Sequence, residues 1–216
     1  MLPTILGDKA KPLSILCLGA HCDDIEIGCG GTVLRLLAER PGSTVTWLAL
    51  ASNAAREWEA RGSAAVFVEG AASADIMVER FRDGYFPSQF SDIKELFETT
   101  KGRVKPDLIL THHRHDRHQD HRTVAELTWN TFRDHLIAEH EIPKYEGDLG
   151  HPNVYVPLSE ETAKRKIELI LQHYPSQAKR SWFRSETFEA VMRLRGIECN
   201  APTGMAEAFH VAKIIL

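Results

Sequence analysis

Leu13 to Ala20 reads Leu-Ser-Ile-Leu-Cys-Leu-Gly-Ala, and His21-Cys22-Asp23-Asp24 follow it without a break. An almost continuous apolar run of this length suits a strand covered on both faces, not one with a solvated side. Strands of that kind sit inside parallel sheets flanked by helices, so the run points to an α/β class. Ligands in such sheets collect beyond the carboxyl ends of the strands, which is where the His21–Asp24 segment would lie.

The rest of the chain repeats the pattern. Thr44 to Leu50 (TVTWLAL), Ala74 to Val78 and Asp107 to Thr111 (DLILT) read as further strands. Apolar spacing predicts helices over Thr32–Arg40 and Ala54–Val68. Ser91 is expected to cap a helix over Asp92–Arg103 that Pro106 stops. Phe81 to Pro87 (FRDGYFP) reads as a turn. A helix is expected from about Thr123 to His140, then an irregular stretch over Ile142–Pro157. Ser159-x-x-Thr162 opens a helix through His173, Thr187–Arg195 is a further helix, and Phe209–Leu216 a closing strand. Alternating strands and helices imply a Rossmann-like, mostly parallel sheet flanked by helices, as one domain over residues 1–216.

Of 216 residues, 43% are hydrophobic and 26% charged, an ordinary balance for a soluble globular chain. A net charge of −4 and a pI near 6.3 argue against a nucleic-acid binder, which would carry a strongly basic face. Cys17, Cys22, Cys29 and Cys199 form no C-x-x-C pair, so no zinc knuckle is expected and a reduced, cytoplasmic setting fits. No run approaches the length of a membrane span, and the start MLPTILGDKAKPL lacks the form of a secretory signal. Oligomeric state is not legible; a homo-oligomer is compatible with everything above.

His112 to His121 (HHRHDRHQDH) holds five of the eleven histidines and follows the fourth strand as His21–Asp24 follows the first. Two distant loops therefore reach one sheet edge with imidazoles and carboxylates, the ligand set of a divalent metal. His21 and Asp24, three apart across a tight turn, together with His121, would give a catalytic zinc three ligands and leave a position for water. Asp23 would remain as general base, and His118 as a donor to a developing oxyanion or an acid for a leaving amine. Asp120 would either orient a ligating imidazole or act as an acid at a helix N-terminus. Asp-Asp before glycines also suits an ordinary turn, and His112, His113 and His115 suit a supporting wall. Arg56, Arg61 and Arg82 are candidates for a substrate anion, against a default of solvated surface charge. Gly28-Cys29-Gly30-Gly31-Thr32 has neither phosphate-loop nor dinucleotide spacing, and close helix packing is its simpler use.

His21-Cys22-Asp23-Asp24-Ile25-Glu26-Ile27-Gly28-Cys29-Gly30-Gly31-Thr32 resembles the H-P-D-D-x-x-x-G-x-G-G-T signature of the PIG-L/LmbE-like family of zinc-dependent N-deacetylases. His118-Gln119-Asp120-His121-Arg122 resembles its second signature, H-x-D-H-R. The resemblance implies zinc on His21, Asp24 and His121, a base at Asp23, an oxyanion-stabilising histidine at His118 and a tuning carboxylate at Asp120. It implies hydrolysis of an N-acetyl group on a small-molecule amino sugar or its conjugate, with zinc preferred and iron or cobalt as alternatives. Cys22 stands where the family has proline, and Ala51 to Arg56 departs from its glycine-and-acid loop. Gly204 to His210 is expected to close the pocket, which makes Glu207 and His210 further candidates. The competing functions are an amidase for a related N-acyl or thiol-conjugate amide, and a non-catalytic nucleotide- or sugar-binding module.

Overall fold

Side chains along Ser14–Gly19 (β1) divide between two apolar clusters. Ile15 and Cys17 pack with Trp47 and Leu110 on one side of the sheet, while Leu16 and Leu18 pack with Leu48 and Ile109 on the other. This is why the run has no polar alternation: both faces are buried. The computed structural model describes residues 6 to 215. Beside β1 stand β2 (Thr44–Ala51), β3 (Ser73–Phe81), β4 (Leu108–His112), β5 (Ile137–His140), β6 (Val154–Pro157) and β7 (Ala206–Val211). They form one seven-stranded sheet in the order β3-β2-β1-β4-β5-β7-β6. The first five are parallel, and β7 runs antiparallel to both β5 and β6. The mostly parallel α/β sheet expected from the sequence is present.

Six α-helices accompany the sheet among the described residues: α1 (Asp24–Glu39), α2 (Ala54–Phe67), α3 (Phe90–Arg103), α4 (Gln119–Thr131), α5 (Glu160–His173) and α6 (Ser185–Cys199). Residues of α1, α2, α5 and α6 join the cluster around Cys17, and those of α3 and α4 join the one around Leu16. Since β1 is paired with β2 on one side and β4 on the other, strand order reverses there. The loops leaving β1 and β4 diverge to opposite faces and open a crevice between them.

Five expectations need correction. The stretch Ile142–Pro157, expected to be irregular, ends in strand β6, which pairs with β7. Residues 123–140 are not one helix: α4 ends at Thr131, and Ile137–His140 is a strand paired with β4, Ile109 opposite Ile137 and His112 opposite His140. Four residues without a β-branched run carry little local strand signal, so tertiary pairing decides. Helix α1 starts at Asp24 rather than Thr32, with the glycines inside it. Helix α3 starts at Phe90; Gln89 holds the N-cap position without a side-chain cap bond, and Ser91 lies inside the helix. The last strand covers Ala206–Val211, and Leu216 lies outside the described residues. Ser159 does cap α5, its hydroxyl accepting from Thr162 N–H.

The glycines inside α1 are packing devices. A Cβ on Gly28 would lie 2.4 Å from His140 Cδ2, one on Gly30 2.6 Å from Phe67 Cε1, and one on Gly31 2.6 Å from Leu158 Cδ1. They let α1 lie against β5, α2 and the start of α5, and none of them forms a phosphate cradle. Gly31 N–H and Thr32 N–H donate to Glu207 at 2.8 and 2.6 Å, while Lys166 Nζ donates to Ile27 O and to Glu207 at 2.7 and 2.6 Å. A buried ion pair thus engages Ile27 O and Gly31 N–H, groups that a regular helix pairs with each other. Gly28→Ala should cost about 1–3 kcal/mol, because the buried His140 ring has nowhere to retreat. Urea unfolding of the variant measures it, and an unchanged midpoint would mean that the helix shifts freely.

Candidate active site

Three donor atoms meet at the mouth of the crevice. His21 Nδ1 stands 3.2 Å from Asp24 Oδ2 and 3.2 Å from His121 Nε2, and His121 Nε2 stands 3.5 Å from Asp24 Oδ2. Tetrahedral bonds of about 2.0–2.1 Å place neighbouring ligand atoms about 3.3 Å apart, so this triangle has the dimensions of a zinc site. Hydrogen bonding on the far side of each ring supports the same conclusion. His121 Nδ1 faces Asp116 Oδ2 at 2.9 Å, and His21 Nε2 faces Asp83 Oδ1 at 3.0 Å and Asp120 Oδ2 at 3.3 Å. Protons on those outer nitrogens would leave two lone pairs and a carboxylate oxygen converging on one point, an arrangement suited to a cation.

The titration behaviour has the same cause. Burial opposes charge on His21, but Asp24, Asp120 and Asp83 more than offset it and raise its pKa well above the usual histidine value. His121 is driven down to about 4 by burial and by the neighbouring His112. Burial pushes the Asp24 carboxyl up, and His121, His112 and His21 outweigh that and hold it well below its usual range.

Local sequence sets these positions. Asp24 opens α1, and its Oδ2 accepts from His21 N–H at 2.7 Å, closing the turn that follows β1. His118 is the N-cap of α4 and His121 lies in its first turn, so the helix start presents both. His118 Nδ1 accepts from Asp120 N–H at 3.3 Å, which puts the proton of the neutral ring on Nε2. Its ring meets His21 edge-on, centroids 4.9 Å apart. Burial, then the His21 charge, depresses its pKa and favours the neutral ring. His112 Nε2, 3.1 Å from Asp24 Oδ2, already accepts from Ala20 N–H at 2.9 Å. With that lone pair engaged, its ring stacks on His121 as a wall, centroids 3.9 Å apart.

Asp23, 6% exposed, has its two oxygens in different states. Oδ1 accepts from Arg56 Nη2 at 2.9 Å, while Oδ2 is buried with no partner. Burial raises its pKa and the Arg56 guanidinium pulls against the rise. A buried carboxylate with one oxygen fixed and the other free, next in the chain to Asp24 of the donor triangle, has the form of a general base.

The comparisons with known proteins agree with this geometry. The family model PIG-L, described as GlcNAc-PI de-N-acetylase, matches residues 16 to 132, more than half of the chain. The chain belongs to the PIG-L family. It is 25% identical over 189 residues to the uncharacterised deacetylase YaiS of Escherichia coli, covering 78% of this chain and 95% of that one. Among the solved structures that share its fold are two from different enzymes. The N,N'-diacetylchitobiose deacetylase of Pyrococcus horikoshii superposes with a TM-score of 0.67 at 18% identity, covering 95% of this chain and 87% of that one. GalB, the 4-carboxy-2-hydroxymuconate hydratase of Pseudomonas putida, superposes with a TM-score of 0.69 at 18% identity, covering 94% and 98%.

Within this PIG-L chain the remaining candidates separate. Arg56 touches Asp23 and also donates to Ser176 Oγ at 3.2 Å, so it is part of the site and not a free surface charge. Arg82 is exposed, its guanidinium stacked on Tyr85 at 3.5 Å, in the loop that brings Asp83 to His21. Arg61 pairs with Glu57. His210 stacks on His113 at 3.8 Å and stands 3.5 Å from Glu141, away from the donor triangle. Glu207 points into α1, so it clamps the helix and does not close the pocket. The Asp120 carboxylate reaches His21 and accepts from Gly84 and Phe86 N–H; only its backbone meets the His118 ring. Cys22 is buried, its thiol facing Ala51 O and pushed up to about 12 by burial, which leaves it unreactive.

Residues that the sequence reading passed over complete the frame. Asp116 sits inside the histidine decapeptide, five residues before His121, where its carboxylate was visible but had no assigned partner. Asp83 was read only as part of a turn. Glu139, on the unrecognised β5, accepts from His113, Arg114 and Trp129 and so anchors the start of the β4–α4 loop. Burial pushes its carboxyl up, and these donors outweigh that and bring it down from the usual 4.5 to about 2. Its contribution to stability is therefore complete above its usual pKa and is lost as pH falls toward about 2. Glu139→Gln should flatten this acid limb in a melting-temperature series against pH. A variant that keeps the wild-type acid dependence would remove Glu139 as its source.

Proposed function

We propose that this chain is a zinc-dependent N-deacetylase that hydrolyses the N-acetyl group of an amino sugar or its conjugate, releasing acetate. The reading rests on one observation above all: Asp23, whose buried Oδ2 has no partner, immediately precedes Asp24 of a donor triangle of zinc dimensions. His21, Asp24 and His121 would hold the ion. When bound, zinc supplies Lewis acidity that activates water near neutral pH and polarises the amide carbonyl.

The side chains carry the protons. Arg56 fixes Asp23 Oδ1, so Oδ2 takes the proton from water as its oxygen bonds to the amide carbon. The neutral His118 ring donates from Nε2 to the oxyanion that develops on the carbonyl oxygen. The C–N bond then breaks, and the proton held on Asp23 passes to the leaving nitrogen, giving acetate and a free amine. The family match and the similarity to YaiS support an N-acetyl group as the target, and the substrate of the Pyrococcus enzyme supports an amino sugar as its carrier.

His118→Ala should lower kcat about 100- to 1,000-fold with metal retained, since one oxyanion donor contributes about that much. His121→Ala should lose the metal as well. Metal content and acetate release from a panel of N-acetyl amino sugars check both, and two fully active variants would refute the mechanism. The fold also carries the hydratase GalB, so water addition to a hydroxymuconate-type acid with no acetate from any sugar would favour that reaction instead.

A further inference from the structure

Asp116 holds together the segment that carries His118 and His121, and its outermost partner comes from beyond the family core. Its Oδ1 accepts from His118 N–H at 2.7 Å, while Oδ2 accepts from His121 Nδ1 at 2.9 Å and from Lys144 Nζ at 2.8 Å. Lys144 Nζ also donates to Asp148 Oδ1 at 2.7 Å and to Ile142 O at 3.3 Å, so all three of its protons are engaged. Asp148 Oδ2 in turn accepts from Arg117 N–H at 2.7 Å. Residues 142–148 thus grip residues 116–118 from outside. Their backbone follows no helix or strand, and they lie past residue 132, where the family match stops.

We propose that Lys144 is a positioning residue for the metal centre, acting through Asp116. One carboxylate sets both the ring orientation of His121 and the backbone that places His118, and the ammonium holds that carboxylate in its only conformation that serves both. The side chains are withdrawn from water, Asp116 being 3% exposed and Lys144 11%. Without the ammonium, Asp116 and Asp148 become two poorly solvated like charges on facing segments. The simplest relief is for Asp116 to turn away from His121. The irregular stretch after β5, which carries no ligand, thereby controls how well the ligands are aligned. This inference rests on the metal-dependent reading above.

Cobalt(II) affinity of the full chain, measured by competition with a chromogenic chelator, tests it without any substrate. Lys144→Met should weaken cobalt binding about 10- to 100-fold, the usual effect of losing an outer partner of a ligating histidine. Lys144→Arg should restore most of it, because the charge and the donors return. Asp148→Asn, which leaves Lys144 in place but loosens its hold, should give a smaller loss of the same sign. In an Asp116→Asn background Lys144→Met should add nothing further, as expected for two residues acting along one path. A lowered melting temperature with unchanged cobalt affinity would reduce Lys144 to a structural role and overturn the proposal. Additive losses in the double variant would overturn the route through Asp116. A wild-type chain that binds no cobalt would sink the metal reading itself, and this inference with it.

Discussion

The carboxylate of Asp24 is the point on which the arrangement turns. It is a buried anion, 4% exposed, and isolating such a charge from water is costly unless opposite charge and hydrogen bonds surround it. The protein assembles that compensation from four directions. The start of α1 directs its dipole at the group, His21 N–H donates to it, and the rings of His21 and His121 close around the same oxygen. A divalent cation, as proposed above, would complete the balance. These groups come from the turn after β1, the start of α1 and the first turn of α4, so holding one anion requires those three elements to meet at one edge.

That requirement explains the glycines better than any local backbone need. Asp24 can reach His121 only if α1 lies close to the strands after β1, and side chains at 28, 30 and 31 would hold it off. Close approach has its own cost, since a helix without side chains on one face loses contacts and conformational preference. The Lys166–Glu207 pair offsets part of it by engaging Ile27 O together with the N–H groups of Gly31 and Thr32. Tyr174 adds a further tie, its hydroxyl donating to Cys22 O and reaching Glu26 across the cluster. The helix that opens on Asp24 is thus gripped at its start and at its middle, by residues from α5, β7 and the segment after α5.

Features with a short range were legible in the sequence. LSILCLGA announced a doubly covered strand, and the two loops after β1 and β4 could be placed on one edge because parallel strands end together. His21, Asp24 and His121 emerged from donor chemistry and spacing, and the structure brings them into one triangle. What escaped was set by pairing at a distance. Ile137–His140 becomes a strand only because β4 lies beside it, and the missed strand concealed Glu139, which ties down the loop after His112. The resemblance made Asp120 a tuning carboxylate, and donor chemistry offered it a ligating imidazole; its carboxylate turns to His21, where Gly84 and Phe86 N–H groups hold it. Those donors sit 34 to 36 residues away, in a loop with no periodic signal.

The histidines show how one residue type yields several functions from a single variable, the nitrogen that is already committed. His121 gives Nδ1 to Asp116 and His21 gives Nε2 to Asp83 and Asp120, so opposite nitrogens of the two rings are left facing the same point. His118 receives a backbone N–H at Nδ1, which turns its Nε2 into a donor suited to an oxyanion rather than to a metal. His112 receives one at Nε2, which withdraws it from coordination although it stands as near Asp24 as the ligands do. His113 is taken by Glu139 and stacks with His210 away from the triangle. In the proposed site, proximity therefore would not select the ligands among these imidazoles; the outer hydrogen bonds would. A neutral imidazole has one lone pair and one proton to place, and the carboxylates and backbone amides around the crevice decide where each goes.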